Sequence, residues 1–202
     1  MAKGEDTRQA ILDRAFTLAN VVGLSGLTIG RLAEDTGLSK SGLFAHFGSK
    51  EALEIAVVEE AGRQFVRVVM VPALARPRGL PRVRALFENW LTWGARPGGC
   101  FFVGASAELD DRPGPARDAL ARACKDWIDM LATAARIAID ERHFRRDLDP
   151  DQFAFELYGL MIGGHTFIRF LRDPAGLERT RAAFDRLVAA AREPSTASNR
   201  KR

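Results

Sequence analysis

An all-α fold is what this sequence predicts, and three observations carry the prediction. Apolar residues recur at three- and four-residue spacing along most of the chain, as in Ile11, Leu12, Ala15, Phe16, Ala19 and Val22. Short glycine- and proline-bearing interruptions punctuate the periodic stretches: Gly23 to Gly26, Arg76 to Pro81, Pro97 to Gly99, Asp110 to Pro115 and Asp173 to Gly176. No convincing run of strand-like alternation and no internal repeat is visible. The predicted architecture is an N-terminal three-helix helix-turn-helix domain over residues 1–50 (core 7–50), a linking helix over 49–71 and a larger helical domain over 72–193. Residues 1–6 and the basic tail 194–202 read as disordered.

Each element has a local reason. The first helix runs from about Thr7 to Val22 and stops at Gly23. Thr28 caps a second helix that carries Ile29, Leu32 and Ala33 on one face. Gly37 ends it, because the residue after a helix often needs positive φ, and Leu38 is expected beneath the turn. Ser39 caps a third, short helix in which Leu43 and Phe47, four apart, pack inward. Lys40, Ser41, Gly42, Phe44 and His46 are left toward the outside. Ser49 opens the linking helix, with Lys50 in its first turn. Beyond Pro72, helices are expected from Pro81, over Cys100–Leu109, over 116–139, from Asp149-Pro150 to about Leu171, and over 177–192.

Two helices joined by a glycine turn, the second one short and small at its start, make a helix-turn-helix. Such a second helix can approach the floor of a major groove, and only its first residues reach base edges. Thr28, Arg31, Lys40, Ser41, Gly42, Phe44, His46 and Lys50 are therefore the candidate DNA-contacting residues. Lys50, beside the free N–H groups of a helix start, suits a phosphate. Lys40 alone would be an ordinary surface lysine, but its place at the start of the second helix favours a DNA contact; His46 reads as a phosphate contact, with packing in the small domain as the alternative.

The same stretch resembles a known family. Leu27-Thr28-Ile29, Leu32-Ala33, Gly37-Leu38-Ser39, Gly42-Leu43-Phe44, His46-Phe47 and Ser49-Lys50-Glu51-Ala52-Leu53 are similar to the N-terminal signature of TetR/AcrR-type transcriptional regulators. The resemblance covers about the first quarter of the chain. It implies an Ω-like homodimer whose last two long helices form a four-helix interface, a double-stranded, palindromic DNA operator, and a small-molecule effector. The family usually has tyrosine where Phe44 stands, with a hydroxyl that commonly touches a phosphate; Phe44 lacks it. Some relatives carry a base-reading side chain at the position of Gly30, which has none.

Composition bounds the rest. With 202 residues, 47% hydrophobic and 28% charged, the chain can bury a real core. No run approaches the roughly 18 apolar residues of a membrane span, and the polar start lacks a signal-peptide core, so a cytoplasmic protein with no membrane partner is expected. The two cysteines, Cys100 and Cys124, agree with a reducing compartment. The net charge of +4 says little about nucleic acid, since Arg200, Lys201 and Arg202 supply three of those charges. The first fifty residues hold six Lys/Arg against five Asp/Glu. Any DNA binding rests on local placement, with Lys3 and Arg8 as further candidates.

In the second domain Trp90, Trp93, Phe101, Trp127, Tyr158, Met161 and His165 concentrate aromatic and polarizable groups. Each alone reads as core; as a set they suit a pocket for an apolar or aromatic effector, with Tyr158 and His165 as polar handles. Gly163-Gly164 fits either a ligand's approach or a helix crossing. Cys100, after two glycines, reads as a buried thiol or, as in some relatives of the family, as one that responds to electrophiles. Glu108, Asp110 and Asp111 lack the His/Cys spacing of a metal site and read as turn chemistry. No nucleophile elbow, HExxH or phosphate-cradling loop is present, so no enzyme and no cofactor are expected. Two functions remain: a ligand-responsive transcriptional repressor, or an all-helical small-molecule-binding protein without specific DNA recognition.

Overall fold

The computed structural model describes residues 2–192, and among them the secondary structure is helical throughout. The order is α1 (Ala2–Val22), α2 (Ile29–Thr36), α3 (Lys40–Phe47), α4 (Lys50–Phe65), α5 (Val71–Leu74), α6 (Leu80–Gly94), α7 (Phe101–Leu109), α8 (Pro115–Asp140), α9 (Pro150–His165) and α10 (Gly176–Ala191). π-helical turns, Val66–Met70 and Thr166–Phe170, extend α4 and α9. The expected helix over 149–171 is thus α9 plus its π turn. α1 begins at Ala2 rather than near Thr7, since polar residues can prolong a helix beyond its apolar stripe. The expected disorder of the tail 194–202 lies outside the described residues.

The chain packs as two compact units. Residues up to Val69 join Leu91–Lys125 in one, and Met70–Trp90 joins the residues from Asp126 onward in the other. A single cut at residue 72 does not reproduce this division. The reason lies in the first unit's aromatic core. Phe16 of α1 stacks on Trp93 at 6.0 Å between centroids and meets Phe101 at 5.7 Å. Phe65 of α4 meets Trp93 and Phe102 edge-on at 5.3 and 5.4 Å. Arg96 closes the other approach, its guanidinium 4.0 Å from the Trp93 ring centroid. Burial and the nearby Arg67 both push the Arg96 pKa down.

In the second unit α6 and α10 meet through Phe87 and Phe184, stacked at 4.0 Å with 6° between planes. Ion pairs Arg84–Asp185 (2.7 Å) and Arg181–Glu88 (2.8 Å) flank that stack. α9 and α10 cross closely at Gly164, where a Cβ would fall 2.6 Å from Thr180 Cγ2. Of the two readings of that glycine, the helix crossing is the one observed. Phe153, Leu157 and Met161 point into this core at 2% exposure or less. The other side of α9 and its π turn is bare in the single chain: Phe155 is 71% exposed and Phe170 82%.

Candidate DNA-binding interface

The helix-turn-helix forms as its sequence dictates. Thr28 Oγ1 accepts the Arg31 N–H at 3.1 Å, Ser39 Oγ accepts that of Gly42 at 3.1 Å, and Ser49 Oγ accepts that of Ala52 at 3.0 Å. Gly37 (φ 71°) and Gly48 (φ 73°) end α2 and α3 in the left-handed region. Leu27, Leu32, Leu43 and Phe47 fill the space between the helices. Leu38, expected beneath the turn, stays 40% exposed because that space is taken. Arg14 of α1 grips Asp35 of α2 through two bonds of 3.0 and 2.9 Å.

What this packing leaves outside is the candidate surface. Thr28, Arg31, Lys40, Ser41, Gly42, Phe44 and Lys50 are exposed, and His46 is half-buried beside Phe47. Phe44 is 55% exposed, an apolar ring on a polar face. Neither α2 nor α3 has an acidic residue in its first turn, so two positive helix ends stand uncompensated there. Arg8 lies over the Phe47 ring at 5.3 Å, which anchors a cation of α1 against α3.

Lys50 also has partners within the fold. Its ammonium donates to the Ser25 carbonyl at 3.2 Å and pairs with Glu54 at 3.5 Å, a carboxylate only 7% exposed. One of its three donors thus serves the fold, its charge sits beside Glu54, and the remaining donors can meet a phosphate.

Ser25 gathers partners that no local pattern announces. Its N–H and that of Leu24 both donate to the Glu108 carboxylate, at 2.8 and 3.1 Å. Its hydroxyl accepts from Arg112 at 2.7 Å. Glu108 is therefore the clamp of the α1–α2 turn, and Asp110 caps its own turn by accepting the Asp111 N–H at 2.9 Å. Among the described residues no group of His, Cys, Asp and Glu could hold a metal ion.

The seven effector-site candidates do not form one cluster within either unit. Trp93 (1% exposed) and Phe101 (3%) are core of the first unit. Trp90, Trp127, Tyr158, Met161 and His165 belong to the second. Burial, then the charge of Arg169, pushes the His165 pKa down, so its imidazole is neutral at neutral pH and can both donate and accept. Cys100 is buried, and desolvation pushes its thiol up despite N–H groups of α7 and Trp93 that favour the thiolate. Burial of this kind disfavours the thiolate. Cys100 lines a cavity of about 30 Å³ with Asn20, Leu24, Phe101 and Glu108, room for one or two waters and far below an effector's needs.

A capped, cation-bearing helix-turn-helix on an all-helical body defines a DNA-binding protein. A family model described as "Bacterial regulatory proteins, tetR family" matches residues 11–57, and one described as "Tetracyclin repressor-like, C-terminal domain" matches residues 79–184. The chain belongs to the TetR family and is a ligand-responsive, DNA-binding transcriptional regulator. It is similar to the transcriptional repressor NemR of Escherichia coli K12, 24% identical over 188 residues that span 91% of this chain and 94% of that protein. It is 39% identical to the repressor AcnR of Corynebacterium glutamicum over 67 residues, 33% of this chain and 36% of that protein. A solved TetR regulator from Chloroflexus aurantiacus has the same fold, with a TM-score of 0.83 at 26% identity over 94% of this chain and 96% of that one. The family is one of regulators rather than enzymes, and no helix among the described residues is long and apolar enough to cross a membrane.

Proposed function

We propose that the protein is a homodimeric repressor, working in the cytoplasm, that leaves a palindromic operator when a small apolar or aromatic molecule binds. The observation that carries this reading is the polarity of α3: Leu43 and Phe47 point inward while Lys40, Ser41 and Gly42 stand out at its start. Those residues suit base edges, and Thr28, Arg31, His46 and the remaining donors of Lys50 suit the flanking backbone. One eight-residue helix reads few base pairs, so a twin is needed. Phe155, Phe167, Phe170 and Leu171, all at least 45% exposed in one chain, supply the apolar surface that a second copy would cover. The effector site is assigned to Trp90, Trp127, Tyr158, Met161 and His165, whose mixture of rings with two polar groups suits an aromatic ligand.

A duplex carrying the protein's own upstream region tests the reading by titration at several salt concentrations. The expected result is binding at least a thousandfold tighter than to random DNA, roughly the lower end for a specific regulator. Equal affinity for both would refute it and leave the alternative, a small-molecule-binding protein that keeps the motif only as structure.

A further inference from the structure

Gly30 has no side chain, yet the space beside it is occupied. A Cβ at Gly30 would stand 3.5 Å from Lys40 Cε, 3.7 Å from Lys40 Nζ and 3.9 Å from Thr28 Oγ1. Lys40, the first residue of α3, therefore carries its stem back across the first turn of α2. Its ammonium comes to rest beside Gly30 rather than out along its own helix. It is exposed, and among the described residues no carboxylate pairs with it.

We infer that Gly30 is a specificity-determining residue that acts through Lys40: the empty position lets one ammonium serve both helices of the motif, and the size of residue 30 sets where Lys40 can reach. This rests on the operator-binding reading above. The chemistry suited to the placed ammonium is a pair of acceptors on a base edge, as guanine O6 and N7 present in the major groove. A methyl at position 30 would meet Lys40 at ordinary contact distance and leave it in place. A leucine would need the volume that Cε and Nζ now fill, and would turn Lys40 away.

The test compares the wild type, Gly30→Ala, Gly30→Leu, Lys40→Ala and the double variant Gly30→Leu/Lys40→Ala on duplexes selected from a randomised library. The wild type should prefer one base at a defined position by roughly ten- to hundredfold, and Lys40→Ala should flatten that preference. Gly30→Ala should keep it while melting higher, because alanine is the better helix former. Gly30→Leu should change the preference at that same position, and the double variant should match Gly30→Leu within about twofold, since the two residues act as one unit. Should leucine prevent folding, Gly30→Gln repeats the comparison with a good helix former of similar reach. A wild type that selects a sequence, with Gly30 and Lys40 acting at different positions or multiplying in the double variant, overturns this inference alone. A wild type with no preference overturns the operator reading, and this inference with it.

Discussion

The Glu108 carboxylate holds the Ser25 N–H at 2.8 Å and the Leu24 N–H at 3.1 Å, reaching across more than eighty residues of sequence. Without it, two backbone donors of the α1–α2 turn lose their partner. Glu108→Ala should cost about 1–3 kcal/mol in urea denaturation, with Glu108→Gln between it and the wild type. Gly23→Ala should be comparably harmful, because Gly23 sits at φ 82° and a Cβ there would press on the same carboxylate. An unchanged midpoint for Glu108→Ala would remove the clamp from the account.

Lys50→Ala should have two separable effects. Losing a phosphate partner should weaken all duplexes about equally and lower the salt slope by roughly one. Leaving Glu54 buried without its cation should also lower stability, and Glu54→Gln in the same chain should recover that loss but not the DNA affinity. A drop in stability with an unchanged salt slope would make Lys50 purely structural.

Phe170→Glu should give folded monomer. The ring is 82% exposed, so its replacement costs the single chain little. Sedimentation should show the monomer, and full-operator binding should fall with it. A monomer that still binds a full operator tightly would contradict the twin-helix requirement.

The first unit should lose stability in acid through Glu60. Burial pushes its pKa up, but hydrogen bonds from Gln9, Gln64 and Arg63, with the Arg63 charge, outweigh this and hold it below the ordinary 4.5. The folded carboxylate binds its proton less readily than the unfolded one. Its contribution is therefore complete above about pH 4.5 and fades as pH falls through the lower folded value. Glu60→Gln should flatten the stability profile in that acid window and lower it at neutral pH; parallel profiles would exclude this role.

Induction should obey reciprocity. If an effector weakens operator binding tenfold per site, about 1.4 kcal/mol, operator must weaken effector binding by the same factor. The three tryptophans, all buried, give the signal. A ligand that changes their fluorescence equally with and without operator is bound but is not an inducer.

Local chemistry made much of this readable in advance. Thr28, Ser39, Ser49 and Asp149 cap helices because a hydroxyl or carboxylate needs only the N–H two or three residues on. The division of α3 into inward and outward residues follows from its 3.6-residue period alone. Long-range partners left no such trace. Nothing near Ser25 points to Glu108 or Arg112, and nothing near Phe16 points to Trp93. The tie from Lys50 to the Ser25 carbonyl was not legible either, because a backbone acceptor has no sequence signature. The π turns after Phe65 and His165 share the apolar spacing of α-helix and were invisible for that reason.

The aromatic contact of Phe16 with Trp93 and Phe101 bears on how such regulators exchange parts. A crossover at residue 50 would bring in a new DNA-reading head and leave Trp93 and Phe101 facing a foreign first helix. The packing unit that holds the head together is instead discontinuous, residues up to Val69 with Leu91–Lys125. Chimeras that transplant both segments should melt higher than those that transplant the head alone. Operator preference should therefore be easier to change by point substitution within the head than by grafting a foreign head at residue 50.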